Sequence, residues 1–420
     1  MLSPVRRARA GGRAPLPPGF GAIWSSVAID LVGFGIVLPL LPLYAERFGA
    51  SATQVGLLVA SFSIAQFALA PVWGRVSDRV GRKPVLVLSL VGTAIGSLLT
   101  GLAGSLAVLF LGRVVDGASG ASVSVAQAAV ADVATPAERA RLFGLLGAAF
   151  GLGFVGGPAL GAVAALGGRR LPFLLAAAIA GANAVWALRR LPETHAGHAR
   201  SAGGTQTAAQ PQERSQRESS LGQPEEAGRG HDGASQGPGL GRLAAVAFVS
   251  LVSFSAFEAT FALFGERRLG FHLASTGAVF AAIGVVIVVV QVGLVRPAVR
   301  RLGEEGTLRA GLALTGVGLL TLAGVRSRVA LVVPLLLVTV GQGLVTPSLS
   351  STVAGRADRA RRGAALGIQQ SAGGLARVVG PIVGGALFQH AGVSSPYLAG
   401  AALLGLAVVL ASARPLAPRR

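Results

Sequence analysis

The chain has 420 residues, of which 52% are hydrophobic and 13% charged, and its net charge is +20. About a quarter of the residues in an ordinary soluble domain are charged, so this composition excludes a typical soluble protein. The chain has no cysteine, which excludes disulfides, zinc–thiolate sites and thiol nucleophiles. The arginines stand in short clusters between apolar runs and do not form one basic face, so we expect no nucleic-acid partner.

Long apolar runs dominate the sequence. Each run is long enough to cross a hydrocarbon core of about 30 Å as a helix that rises about 1.5 Å per residue. The runs predict an all-α polytopic membrane protein with twelve transmembrane helices. The predicted spans cover residues 20–44, 55–74, 84–102, 106–130, 141–165, 171–188, 243–264, 275–295, 307–325, 329–354, 364–389 and 396–413.

The basic residues predict the orientation of these spans. Most of the 37 Lys and Arg residues fall on the side that carries both termini, so we expect both termini in the cytoplasm of a multi-pass protein of the cell membrane. A stretch rich in Gly, Ser, Gln, Arg and Glu separates six spans from six and predicts a disordered cytoplasmic linker. The expected divisions are a tail (1–19), a six-helix bundle (20–188), the linker (189–242), a second six-helix bundle (243–413) and a tail (414–420).

The two halves share a short motif. Gly157-Pro158-Ala159-Leu160-Gly161 in the fifth span matches Gly380-Pro381-Ile382-Val383-Gly384 in the eleventh at an offset of 223 residues. Its placement in the penultimate span of each half predicts a duplicated six-helix unit. Small residues four apart let helices approach closely, and proline adds a kink. The predicted packing residues are Gly153, Gly157, Pro158, Gly161, Gly380 and Pro381.

The loop between spans two and three reads GRVSDRVGRK over residues 74–83. This pattern resembles the loop 2–3 signature of the major facilitator superfamily at every defining position. The alternative is a basic cytoplasmic loop that only sets the topology. The defining residues are Gly74, Asp78, Arg79, Gly81, Arg82 and Lys83.

Other motifs extend this resemblance over nearly the whole chain. Arg113, Asp116 and Gly117 resemble the R-x-x-Q-G pattern of the family's fourth span, with Asp in place of the usual Gln. The glycine-rich fifth span resembles the family's antiporter signature, and the sixth ends in Leu-Pro-Glu-Thr at 191–194. Together they resemble the twelve-span drug:proton antiporters, including the tetracycline efflux branch. The resemblance implies two six-helix bundles that export drugs or other small amphipathic compounds against protons by alternating access.

Five charged residues lie within the predicted spans. Each costs roughly 2.5–3.5 kcal/mol at a bilayer centre, so we expect them to face a wet cavity or each other and to handle protons or substrate. For each of them a structural or interfacial role is the alternative. Four phenylalanines lie near Glu258 in the seventh predicted span, and we expect them either to line the cavity or to face lipid. The five charged residues are Asp30, Arg113, Asp116, Glu258 and Arg377, and the phenylalanines are Phe254, Phe257, Phe261 and Phe264.

The family resemblance also implies a gate. Asp78, Arg82 and Asp132 are expected to form a charge cluster that holds the halves together when the transporter is open outward. The alternative is surface ion pairing worth under about 1 kcal/mol. Residues 296–305 resemble a degraded copy of the loop 2–3 signature that lacks its Asp, which disfavours a gating role for this second loop.

Several other functions are disfavoured. No phosphate-binding Walker pattern occurs, and no H-E-x-x-H arrangement exists among the five histidines. We therefore expect no enzyme activity, no metal and no cofactor, and we expect a monomer. Two alternatives to efflux stay open, namely uptake of a small metabolite and a non-transporting membrane sensor or scaffold that recruits a partner through residues 189–242.

Overall fold

The computed structural model describes residues 16–134, 138–194, 240–357 and 362–412. It includes only 189–194 and 240–242 of the expected linker and none of the expected C-terminal tail. The described residues form thirteen α-helices and one π-helical turn, Val290–Leu294. The helices are α1 (Phe20–Glu46), α2 (Ala52–Val80), α3 (Arg82–Leu102), α4 (Leu106–Ala118), α5 (Ser122–Val133), α6 (Arg139–Leu166), α7 (Leu171–Arg190), α8 (Leu240–Leu269), α9 (Leu273–Val289), α10 (Val295–Ala323), α11 (Val332–Arg356), α12 (Arg362–His390) and α13 (Ser395–Ser412).

Eleven helical segments of the described chain are long and apolar enough to cross a membrane. One of them is a run of 51 residues, Leu273–Ala323, which comprises α9, the π-helical turn and α10. Inside this run Gly303 leaves the helical region, with φ 71° and ψ 173°. The eighth and ninth predicted spans lie on either side of this residue.

The fourth predicted span is not one continuous helix. It consists of α4 and α5, which are separated at Ser119–Ala121. Side chains from neighbouring helices bind the backbone groups that the break frees: Ser89 of α3 donates to the Ser119 carbonyl, and Gln66 of α2 donates to the Gly120 carbonyl at 3.0 Å. Buried backbone groups must be satisfied in this way wherever a helix is broken at membrane depth.

Glycines bring two pairs of helices into close contact. In the N-terminal half (α1–α7), a Cβ on Gly157 of α6 would lie 2.6 Å from the backbone of Gly35 of α1. In the C-terminal half (α8–α13), a Cβ on Gly380 of α12 would lie 2.7 Å from the Val252 carbonyl of α8. The two glycines of the repeated motif therefore occupy equivalent contacts, each against the first helix of its own half.

The two halves meet through α2 with α12 and through α6 with α9. Here again the contacts need residues without side chains: Gly56 lies against the Pro381 carbonyl, and Gly385 against the Ala52 carbonyl. On the other side, Gly284 lies against the Phe154 carbonyl. Such backbone contacts suit membrane helices, which gain no hydrophobic drive from lipid and associate through close packing.

Polar contacts between the halves lie at the end where α1 stops and α2 starts. Arg267 of α8 reaches Glu46 of α1 at 3.4 Å. The Gln389 side chain of α12 accepts a hydrogen bond from the Thr53 N–H in the first turn of α2, at 3.1 Å, and so satisfies an orphan donor from across the interface. We call this the closed end, defined by these four residues, and the opposite end, with residues 74–83, the loop 2–3 end.

Candidate functional site

Arg113 is buried in the centre of the N-terminal half, where its side chain is 1% exposed. Its Nη1 donates to Asp116 Oδ2 at 2.7 Å, and the guanidinium lies over the Phe62 ring, 4.5 Å from the centroid. Within the described part of the chain, Nε and Nη2 have no hydrogen-bond partner. Burial of a charged donor without a hydrogen-bond partner costs free energy. A further acceptor that binds Nε and Nη2 would recover part of this cost.

Asp116 is held by two helices. It accepts hydrogen bonds from Arg113 and from the Thr93 side chain of α3. A Cβ on Gly96 would lie 2.7 Å from Asp116 Cβ, so α3 approaches α4 this closely because Gly96 has no side chain. Arg113 and Asp116 are three residues apart, a spacing at which opposite charges on a helix can neutralise each other. They form this ion pair, and it uses only one of the three guanidinium nitrogens.

Asp30 lies beside the break between α4 and α5. It stands about 15 Å along α1 from Phe20, at about 1.5 Å per residue, which places it inside the half rather than at a membrane surface. Its Oδ2 accepts a hydrogen bond from Ser122 Oγ at 2.5 Å, at the first residue of α5, where the helix dipole favours a carboxylate. Among the described residues Oδ1 has no partner, and Asp116 is close enough to act on Asp30 electrostatically.

The C-terminal half contains a second pair of charges. Glu258 of α8 is partly buried, and Arg377 of α12 is the charged group that acts on its carboxylate. The role of Arg377 was open from the sequence, and the structure places it opposite Glu258. The N-terminal half thus contains two carboxylates and one guanidinium, and the C-terminal half contains one of each, on the packed helices α8 and α12.

The four phenylalanines of α8 have a different environment from the one expected. Neither the cavity nor the lipid alternative is correct, because all four are less than 9% exposed and pack with one another in the core of the C-terminal half. Ring centroids are 5.2 Å apart for Phe257 and Phe261, and 5.1 Å apart for Phe264 and Tyr397. The four are Phe254, Phe257, Phe261 and Phe264.

The loop 2–3 end brings the three expected gate residues together. Arg82 Nη1 contacts Asp78 Oδ1 at 2.6 Å, and Arg82 Nε contacts Asp132 Oδ2 at 3.0 Å. Ser77 Oγ accepts a further bond from Arg82 at 2.7 Å. All four residues belong to the N-terminal half, so this cluster ties the start of α3 to the ends of α2 and α5.

Glu193 is a member of this cluster whose position the sequence did not reveal. Its Oε1 accepts from the Arg82 backbone N–H at 2.9 Å, and its Oε2 accepts from the Lys83 N–H at 3.2 Å. Gly81 makes room for it, since its φ is 107° and a Cβ there would collide with the Glu193 carboxylate. The signal was the acid in Leu-Pro-Glu-Thr, at the end of the sixth span.

The second half carries a counterpart with exchanged charges. Glu305 lies two residues after Gly303 and contacts Arg356 at the end of α11. In the N-terminal half, Arg82 follows Gly81 and contacts Asp132 at the end of α5. Gly303 shares the positive φ of Gly81. The copied position holds no Asp, so the motif alone does not predict this pair. Here the acid follows the glycine, and the base lies on the other helix.

Comparison with known proteins matches most of the chain. The family model of the Major Facilitator Superfamily matches residues 23–357 and 294–420. The chain is 32% identical to "Tetracycline resistance protein, class G" of Vibrio anguillarum, over 85% of this chain and 86% of that protein. It is 28% identical to "Multidrug resistance protein 1" of Bacillus subtilis (strain 168), over 92% of this chain and 93% of that protein.

Solved structures show the same arrangement of helices. The human organic anion transporter MFSD10 (TETRAN) is 27% identical and has a TM-score of 0.67, with 94% of this chain and all of that chain covered. The D323A mutant of the nucleoside transporter NupG has a TM-score of 0.70 over 93% of this chain and 98% of that chain, at 13% identity. At that identity the likeness to NupG concerns the fold alone.

Proposed function

This chain belongs to the Major Facilitator Superfamily, and from that premise we propose that it exports drugs or other small amphipathic compounds in exchange for protons, by alternating access. It is a membrane transporter whose relatives include tetracycline and multidrug resistance proteins. The substrate and the direction of transport are the parts proposed.

The proposal includes twelve spans in two bundles of six. At about 1.5 Å per residue, the run Leu273–Ala323 would be about 75 Å long, more than twice a hydrocarbon core of about 30 Å. The non-helical Gly303 supplies the turn that divides this run into two spans. The bundles then cover residues 20–188 and 243–413, the connecting segment is cytoplasmic, and both termini lie in the cytoplasm.

The observation that carries the proposal is the incomplete hydrogen bonding around Asp30 and Arg113. One buried carboxylate oxygen and two buried guanidinium nitrogens have no partner among the described residues. Such groups suit ligands that come and go, because a proton or a polar substrate group supplies the missing bond. We assign Asp30 as a proton carrier, Arg113 and Asp116 as the groups that tune it, and Glu258 with Arg377 as a second coupling pair.

The packing of the halves supports alternating access. They touch at the closed end, and α2 is mostly exposed from Pro71 to Val80 near the loop 2–3 end. With cytoplasmic termini, this is an inward-facing arrangement. The cluster of Asp78, Arg82 and Asp132 joins only elements of the N-terminal half in this arrangement. In the outward-facing state, we assign it to meet the C-terminal half and hold the halves together at the loop 2–3 end. One proton that enters across 100 mV provides about 2.3 kcal/mol, enough for a roughly 50-fold gradient.

A second candidate function is transport of an organic anion. The unpartnered donors of Arg113 suit a carboxylate or sulfonate, and a solved relative at 27% identity is an organic anion transporter. Uptake of a labelled organic anion into proteoliposomes separates the two candidates, since the second candidate function requires that the anion itself is carried across the membrane.

Proton flux in proteoliposomes tests the function. We expect a pH dye to report proton movement when members of a drug panel, including a tetracycline, are added to the wild-type protein. Asp30→Asn should abolish the signal, and Glu258→Gln should reduce or abolish it. Glu304→Gln makes the same acid-to-amide change away from both charge pairs and should keep the signal. No signal with any compound, from folded protein, would contradict proton-coupled efflux.

A further inference from the structure

A cavity of about 410 Å³ lies between the halves at the closed end. It is bounded by the end of α1, the connection between α6 and α7, the end of α8 and the segment before α9. It is separate from the charge pairs of Asp30 and Glu258, which lie deeper in the helices. Residues that line it include Leu43, Glu46, Arg169, Glu266, Phe271 and His272.

Two carboxyl groups from opposite halves meet in this cavity. Glu46 ends α1, Glu266 lies in the last turn of α8, and their side chains are in hydrogen-bonding contact. Two carboxyl groups can share a hydrogen bond only when at least one carries a proton, and two ionised carboxylates at this separation repel each other. The hydrogen bond between these two carboxyl groups therefore requires one proton.

Other charges around the pair decide how many protons it holds. Arg267 contacts Glu46 at 3.4 Å, and Arg47 and Arg169 line the same cavity. These guanidinium groups favour the ionised form of one carboxylate. When one group is ionised and the other protonated, the carboxylate pairs with the arginines and the carboxylic acid donates the hydrogen bond. The pair is therefore suited to hold a single exchangeable proton.

The neighbouring contacts of the closed end do not titrate. Gly56 and Gly385 pack against backbone carbonyls, and Gln389 accepts from the Thr53 N–H. His272 is the imidazole that lines the cavity. Apart from His272, which a variant can remove, the carboxyl pair is the titratable link described between the halves at this end.

We propose that Glu46 and Glu266 form a proton-binding site between the halves, in which a bound proton keeps the closed end shut and its loss opens that end. The site does not require Asp30 to carry protons or the transporter to export. Under the proposed orientation the site faces the outside, and arriving protons close the outer end, which is the movement an antiporter needs after it releases substrate.

Distance measurements between spin labels test this site. The chain lacks cysteine, so Gly104→Cys and Val329→Cys place one label on each half at the closed end of the full-length protein. A Cβ at Gly104 meets no atom within 4 Å, and Val329 is 84% exposed. In lipid nanodiscs without substrate, we expect the distance between labels to increase from mildly acidic to mildly alkaline pH.

Amide variants identify the groups that respond. Glu46→Gln and Glu266→Gln each keep a hydrogen bond without an exchangeable proton, so we expect a short distance at every pH. His272→Gln should retain the wild-type lengthening. Unchanged thermal unfolding of both glutamine variants shows that loss of the response is not misfolding, and either variant suffices if the other fails to fold.

Three results would overturn the proposal. The first is a wild-type distance that does not depend on pH. The second is lengthening that persists when both Glu46 and Glu266 are Gln. The third is lengthening that disappears in His272→Gln while both glutamates are intact. None of these results depends on drug or proton flux, so this site and the proposed function can fail independently.

Discussion

The Glu193 carboxylate binds the backbone N–H of Arg82 at 2.9 Å, so the segment after α7 caps the start of α3. The same carboxylate also reaches the next N–H of the helix. An anion at a helix N-terminus satisfies orphan donors and interacts favourably with the helix dipole. The loop 2–3 motif and the acid after the sixth span, which are about 110 residues apart, therefore form one structural unit.

Removal of this cap should lower the stability of the N-terminal half. Glu193→Ala loses two hydrogen bonds and a favourable charge, and we expect a decrease of about 1–3 kcal/mol in the free energy of unfolding. Glu193→Gln keeps one acceptor and should lose less. Thermal unfolding in detergent measures both variants. Thr194→Val is the matched control, because the Thr194 hydroxyl has no partner among the described residues; an equal loss in the control would refute the capping role.

Gly81 should be intolerant of any side chain. Gly81→Ala places a Cβ against Glu193 on a backbone with φ 107° and ψ 161°, and the backbone strain alone costs about 1–3 kcal/mol. Gly74→Ala serves as the control, since its Cβ would meet no atom within 4 Å. The double variant Gly81→Ala with Glu193→Ala should lose less unfolding free energy than the sum of the two single variants, because it relieves the clash but not the backbone strain. Strictly additive losses would contradict the contact between Gly81 and Glu193.

The Arg113–Asp116 pair should be strongly coupled. Asp116→Ala leaves a buried guanidinium uncompensated, and we expect a loss of about 3–5 kcal/mol in the free energy of unfolding. Asp116→Gln restores the residue usual in the family and should lose less, because its amide oxygen still accepts from Arg113. A double-mutant cycle with Arg113→Ala measures the coupling. Independent effects of the two substitutions would show that the pair is not the source of the loss.

The exchanged polarity of the second gate pair can be tested by a charge swap. Glu305→Arg places two arginines together, and we expect slower transport with a stability loss under about 1 kcal/mol, since the Glu305 side chain is 45% exposed. Glu305→Arg with Arg356→Glu restores an ion pair in the polarity of Arg82 and Asp132, and should recover transport. Failure of the double variant to exceed either single variant in the proteoliposome assay would argue against a role for the pair.

Packing at the closed end should control which end is open. Gly385→Leu inserts a side chain against the Ala52 carbonyl, and we expect the closed end to open, which the Gly104/Val329 label pair reports as a longer distance at every pH. Gly405→Leu is the control, since a Cβ at Gly405 of α13 meets no atom within 4 Å. An unchanged distance in Gly385→Leu would show that this contact does not hold the halves together.

The sequence predicts those features that depend on local patterns. Apolar run length predicts the membrane-capable helices, and the resemblance of the loop 2–3 motif to the family signature implies the contacts of Arg82 with Asp78 and Asp132. The break at Ser119–Ala121 escaped prediction because side chains from α2 and α3 stabilise it. The burial of the α8 phenylalanines depends on helix rotation, which an apolar helix does not encode on its own. Glu193 and the pair Glu305–Arg356 are joined only by the tertiary fold.

The central claim is exchange of a compound for protons, and gradient-driven accumulation tests it most directly. Proteoliposomes with an acidic interior should accumulate labelled tetracycline, or another compound that the proton assay identifies, as protons leave. Asp30→Asn should not accumulate it. Accumulation that is driven only by the reversed gradient would demonstrate cotransport, and accumulation by Asp30→Asn equal to the wild type would contradict the assigned proton carrier.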